Sequence, residues 1–128
     1  MMNDDVYFKL REFLDNLPGG YPATDSGVEI KILKKLFSPE QAHIALHLKQ
    51  RPEPAFLIAR RLKMKRAEVA EKLEAMAKEG LIYRIRLAGQ PLYMALQFIV
   101  GIFEFHLNTL DRELSEMLEE YFPYLGKI

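Results

Sequence analysis

Two histidines in "HIALH", His43 and His47, stand four residues apart. On a helix that spacing puts both imidazoles on one face, where they could share a divalent metal ion. No third ligand is obvious, because Glu40 falls in the first helical turn and no H-E-x-x-H run is present. The competing reading is a pair of partly exposed helix histidines. His106, in "FEFHLN", reads as a satisfied histidine among aromatics, paired with Glu104 or Asp111, with pH sensing as its functional alternative.

The larger constellation is cationic. Arg60, Arg61, Lys63, Lys65 and Arg66 crowd together, Lys72 follows, and Arg84 and Arg86 alternate in "YRIRL". Cations grouped in this way neutralise phosphates or receive an acidic protein surface; the bland alternative is a solvated face. Residues 57–97 carry nine basic against four acidic side chains, whereas residues 98–128 carry two against six. The chain as a whole, with 18 of each sign, is neutral, which argues against a polyanion binder using its entire surface.

Other chemistries lack their residues. With no cysteine, the chain offers no disulfide, thiolate zinc site, cysteine nucleophile or thiolate-held cluster. "PGGYP" has glycines, but no strand precedes it and no phosphate-binding lysine follows. No nucleophile–base–orienter set can be assembled, so the expectation is a protein that is not an enzyme. The longest apolar run, "LQFIVGIF", is far short of a membrane span, and the acidic start lacks the form of a secretion signal. A cytoplasmic protein without membrane contact is expected.

The elements that must position these residues follow from periodicity. Val6, Leu10, Phe13, Leu14 and Leu17 form one stripe, predicting a helix over 4–17 that "LPGGYPATDSG" ends. Ser26 with Glu29 and Ser38 with Gln41 each have capping-box spacing, the second with Pro39 at the first helical position. They open a second helix and a third over about 39–49. Pro54 opens a short helix, "KMK" turns the chain, and a further helix buries Val69, Leu73, Met76 and Ala77 before Gly80 caps it. Alternation in 81–87 and 92–96 around "AGQP" predicts a β-hairpin. The expected fold is mainly α with a small β-hairpin (α+β): a winged helix-turn-helix with extra N-terminal and C-terminal helices. One domain spans 1–128, with an N-terminal helix and loop (1–25), a winged-helix core (26–97) and C-terminal helices (98–128).

In a winged-helix DNA reader, the helix after the turn enters the major groove and nearby cations meet phosphates. Here that helix points Glu68, Glu71, Lys72, Glu74, Ala75, Lys78 and Glu79 outward, and carboxylates repel phosphate. Glu68–Lys72 and Glu74–Lys78 also have the spacing of ordinary surface pairs. Duplex DNA is therefore one candidate partner and a protein surface another. The last helix, expected to start at Asn108 or Thr109 and to stop at Pro123, carries Leu110, Leu114, Met117, Leu118, Tyr121 and Phe122 on one stripe. That stripe packs either on the first helix of the same chain or on a second copy; a homodimer is the expected assembly.

Three phrases, "DDVYFKLREFLDNLPGGYPATDSGVEIKILKKLFSPEQA", "MAKEGLIYRI" and "QFIVGIFEFHLNTLDRELSEMLEEY", cover most of the chain. Together they resemble the N-terminal region of a family of four-iron–four-sulfur (4Fe-4S) ferredoxin-type proteins of anaerobic bacteria and archaea. The resemblance implies a winged-helix accessory domain of an electron-transfer protein, docked to a cluster-bearing domain or a partner protein. It implies 4Fe-4S clusters for the full-length protein only, because no C-x-x-C-x-x-C-x-x-x-C-P run is present and no residue here can receive a cluster-ligand role. The sequence is then either part of a longer protein or a relative without its redox half. The alternative is a dimeric DNA-binding transcriptional regulator.

Overall fold

Apolar stripes meet one another around a single buried cluster that runs from Tyr7 to Tyr121 in a computed structural model describing residues 2–125. Helix α1 (Met2–Asp15) turns Leu10 and Leu14 inward, with Leu17 just beyond its end, as the spacing predicts. Tyr7 is buried more completely than Val6, and its hydroxyl donates to the Phe37 carbonyl at 2.6 Å, tying α1 to the backbone thirty residues on. Within the loop after α1, Tyr21 is fully buried: its hydroxyl donates to the Glu29 carbonyl, and its ring lies 4.8 Å from Phe98 and 5.0 Å from Tyr121.

Helix α2 (Val28–Leu36) does not start with the expected capping box. Gly27, in the left-handed region at φ 75°, is the N-cap, so Ser26 lies one residue too early to reach the Glu29 amide. Ser26 instead faces the Val28 amide at 3.3 Å and donates to Glu120, while the buried Glu29 carboxylate accepts from the Thr24 hydroxyl at 2.6 Å. The second expected box is present: Ser38 and Gln41 cap α3 (Pro39–Ala45) reciprocally. Helix α3 ends before Lys49 because the chain is drawn out alongside the hairpin, where the Lys49 carbonyl accepts from Ala95 and Glu53 bridges Tyr93.

Helix α4 (Ala55–Leu62) closes on Lys63 at φ 59°, with the Lys63 and Met64 amides returning to Arg60 and Ala59. Helix α5 (Arg66–Lys78) buries Val69, Leu73 and Met76 against α4. It ends in a Schellman motif: Gly80 at φ 76° donates to Ala77, and Leu81 to Met76. Strands β1 (Tyr83–Leu87) and β2 (Gln90–Met94) then pair antiparallel, Leu87 opposite Gln90. Ala88 and Gly89 between them both have positive φ, the type I′ geometry whose twist suits a two-residue hairpin. Tyr93 exchanges both backbone hydrogen bonds with Glu53, at 2.8 and 2.9 Å, giving the hairpin a one-residue third strand.

The segment after β2 enters a π-helical turn (Phe98–Ile102), a one-turn helix α6 (Phe103–Phe105) and a 3₁₀ turn (Leu107–Thr109) before α7 (Arg112–Leu125). Asp111, not Asn108 or Thr109, caps α7 by accepting from the Leu114 amide at 2.8 Å. Pro123 lies inside α7 and does not stop it; the one carbonyl it deprives of a donor belongs to exposed Glu119, in the final turns. Helix α7 packs on α2, and Lys35 of α2 meets Asp111 at 2.8 Å and Glu113 at 2.6 Å. The protein is thus mainly helical, with a small two-stranded antiparallel sheet.

Candidate functional site

The cations divide into two groups once their partners are known. Arg61 is half-buried and already engaged: its guanidinium lies 2.6 Å from the buried Glu53 carboxylate and donates to the His47 carbonyl, also at 2.6 Å. Lys72 crosses to Glu40 on α3 at 2.9 Å, so the expected surface pair with Glu68 gives way to a contact between helices. That hydrogen bond raises the Lys72 pKa. Arg84 reaches from β1 to Glu74 on α5, which replaces the expected Glu74–Lys78 pair.

Glu74 accepts a second bond from the Tyr93 hydroxyl of β2. The Tyr93 bond, reinforced by Arg84, holds the Glu74 carboxyl below the usual carboxylate range against some burial. Burial first, and the Glu74 carboxylate second, push the Tyr93 phenol well above its ordinary value. Helix α5 and the hairpin are therefore joined by one carboxylate with two donors.

Arg60, Lys63, Lys65, Arg66 and Arg86 remain, all exposed and none within ion-pair distance of a carboxylate among the described residues. The first four gather around the α4–α5 turn, Lys63 and Lys65 on it, Arg60 in the last turn of α4 and Arg66 at the first position of α5. The Arg66 guanidinium sits over the Phe56 ring, 5.8 Å from its centre, and Phe56 is 39% exposed. Lys65 and Arg66 occupy the N-terminus of α5, the positive end of its dipole, where cations are unfavourable. Lys63 holds a left-handed conformation that costs a non-glycine residue about 1–2 kcal/mol. Lys65 and Arg66 are thus kept against the helix dipole and Lys63 against its backbone preference, whereas Arg60, in the last turn of α4, sits where a cation is favoured; such departures are expected at functional positions.

On the outward face of α5, Glu68 and Glu71 are exposed in the turns that follow these cations, and Glu79, the C-cap at the far end of the helix, accepts from the Gln41 amide. Phe56 carried no periodic signal beyond its place in "PAFLIARRL"; its functional interest comes from Arg66, ten residues away on another helix. Glu53 was similarly silent, although an acid between two prolines in "RPEP" marks an extended course.

His43 and His47 come together on α3 and the turn after it, ring centres 4.7 Å apart, with His47 Nδ1 2.9 Å from the His43 carbonyl. Among the described residues no group of three or more potential metal ligands converges. His106 turns Nδ1 to the Ile102 carbonyl at 2.7 Å and pairs with neither expected acid: Glu104 caps the Gly101 amide and Asp111 holds Lys35.

The last helix packs much of its stripe within the chain. Leu114, Leu118 and Tyr121 are buried within this chain, where α7 meets α2 and the Tyr21 and Phe98 rings, so half of the stripe offered as a dimer face is core. Leu110 and Met117 pack partly against it, and Phe122 stays 39% exposed with its ring 5.1 Å from Phe103. An unforeseen apolar groove of 310 Å³ opens where Leu17 and Pro18 face Tyr83, Met94 and Leu96. No described helix is long and apolar enough to cross a membrane. No family model, curated protein or solved structure matches the chain, so the functional reading rests on these residues.

Proposed function

We propose that the chain is a non-enzymatic winged-helix module that docks an acidic protein surface through its α4–α5 turn. Its element order supports the winged-helix part: α3, the Glu53 bridge, α4, α5 and the two hairpin strands succeed one another as in that fold. The observation that carries the docking part is the set of four free cations gathered around the turn, two of them, Lys65 and Arg66, at the unfavourable positive end of α5, beside an exposed Phe56. Arginine next to an exposed aromatic ring is a composition enriched at protein interfaces.

The resemblance to 4Fe-4S ferredoxin-type proteins supports placing this module beside a cluster-bearing domain or a separate electron-transfer partner. Without cysteine, this chain supplies no thiolate for such a cluster, so the cluster would belong wholly to the other part. Self-association in this reading uses the apolar side chains left exposed near the C-terminus, Phe105, Leu107 and Phe122. The second reading, a dimeric DNA-binding regulator, is favoured by Arg86 at the hairpin and by the same turn, and disfavoured by Glu68, Glu71 and Glu79 on the groove-facing side of α5.

Duplex DNA separates the two. If the five free cations each met a phosphate, the slope of log affinity against log salt would be about −4.5, roughly a 500-fold loss between 50 and 200 mM salt. Titration of a labelled mixed-sequence duplex at both concentrations is expected to give no binding beyond that of a neutral protein. Binding with the full slope, lost on Arg60→Glu with Lys63→Glu, would replace the protein-docking proposal with the regulator.

A further inference from the structure

We propose that His43 and His47 form a two-imidazole clamp for a late first-row divalent cation, Cu²⁺ before Ni²⁺ or Zn²⁺. The docking proposal neither requires nor supplies this site. The two rings are already in contact, centres 4.7 Å apart and planes inclined at 59°. Two nitrogens bound to one ion at about 2.0–2.1 Å sit about 3 Å apart, a closeness that ring contact permits.

The second observation is chemical. His47 Nδ1 lies 2.9 Å from the His43 carbonyl. A carbonyl only accepts, so Nδ1 of the neutral ring carries the proton and Nε2 keeps the lone pair. Metal-binding histidines are typically oriented in this way, by a backbone carbonyl on the other ring nitrogen.

The surroundings leave the rings accessible. His43 is exposed and His47 half-buried. Glu40, one turn earlier, is engaged by Lys72, and the His47 carbonyl by Arg61, so neither competes for the imidazoles. Two nitrogens with the remaining positions left to water suit the late divalent ions, and the affinity order should follow Cu²⁺ above Ni²⁺ and Zn²⁺.

The test is calorimetric titration of the purified chain with CuCl₂, NiCl₂ and ZnCl₂, together with Cu²⁺ electron paramagnetic resonance. One-to-one binding, strongest for Cu²⁺ and showing coupling to two imidazole nitrogens, is expected. His43→Ala and His47→Ala should each raise Kd by about tenfold or more, while His106→Ala leaves it unchanged. Melting curves in chelator check the fold; if His47→Ala is destabilised through its lost carbonyl contact, His43→Ala alone decides. Absence of one-to-one binding, or affinity unchanged in His43→Ala, overturns the proposal and assigns any bound copper to the amino terminus or to His106.

Discussion

Gly80→Ala tests whether the C-terminal segment is seated where α5 meets the hairpin. Two separable costs arise. Gly80 has φ 76°, and an alanine there adopts the left-handed region at a cost of about 1–2 kcal/mol. The new Cβ would also lie 2.6 Å from the Phe105 Cβ and 3.3 Å from the His106 ring. The Phe105 Cβ is fixed to its backbone, so the one-turn helix must move as a unit, an overpacking cost of roughly 1–3 kcal/mol. The sum, about 2–5 kcal/mol, is a large part of the stability of a domain this size.

Gly89→Ala supplies the control. Gly89 has a similar φ of 80°, but a Cβ there meets nothing within 4 Å, so only the conformational cost applies. Thermal or denaturant unfolding of both variants gives the steric part by difference. At roughly 3–5 °C per kcal/mol, Gly80→Ala should lower Tm by about 6–25 °C and Gly89→Ala by about 3–10 °C. Equal losses would refute the reasoning, because they would mean that residues 103–106 do not press on the end of α5.

Two further substitutions probe the joints that remove cations from the candidate site. Tyr93→Phe deletes the hydroxyl that Glu74 accepts, a hydrogen bond to a charged group worth about 1.5–3 kcal/mol, with little change in shape. A raised phenol pKa contributes stability that is complete below the ordinary value of about 10 and is lost as pH rises beyond it. The lowered Glu74 pKa contributes stability that is lost as pH falls through it, below the ordinary value of about 4.3. Melting curves from pH 3 to 11 should therefore show Tyr93→Phe to be less stable at neutrality and flatter at both ends; an unchanged profile would sink the Glu74–Tyr93 assignment. Glu53→Ala leaves the Arg61 guanidinium without its carboxylate. A fully buried pair loses about 3–5 kcal/mol in that way, and because Arg61 is 27% exposed the expected loss is about 2–3 kcal/mol. A loss under about 1 kcal/mol in urea unfolding would return Arg61 to the free cations of the turn.

What could be read in advance was what is local. Gly80 as the end of α5, Ser38 and Gln41 as a reciprocal cap, and a hairpin turning near Ala88 and Gly89 all depend on residues within a few positions of one another. Ser26 with Glu29 shows the limit of such reading, since one left-handed residue between them moved the cap outside the spacing that made it recognisable. Charges were less legible because their partners are distant. Lys72 had Glu68 four residues before it on the same helix, yet Glu40 on α3 took its place, and nothing in the sequence ranks a neighbour on the helix against one brought up by packing. The amphipathic stripe of α7 declared that one face is buried but not what buries it; within the chain α2 and the Tyr21 and Phe98 rings cover Leu114, Leu118 and Tyr121, where the spacing alone offered α1 or a second copy.

The hairpin arginines show the same division within five residues. Arg84 and Arg86 share one face of β1, as their spacing requires. Arg84, at the base, is opposite Tyr93 and level with Glu74, so α5 takes it. Arg86, two residues closer to the tip, is opposite Pro91 and exposed, and its charge acts on Glu74 and Tyr93 without a direct bond. One arginine thus fixes the hairpin to the helix and the other is left outside. With Glu74 holding both strands to α5, and Glu53 joining β2 to Arg61 of α4, the turn and the base of the hairpin form one braced unit. If a partner meets Arg60, Lys63, Lys65 and Arg66 as proposed, Arg86 is already held on that frame, so contact with both would not require the hairpin to be ordered first.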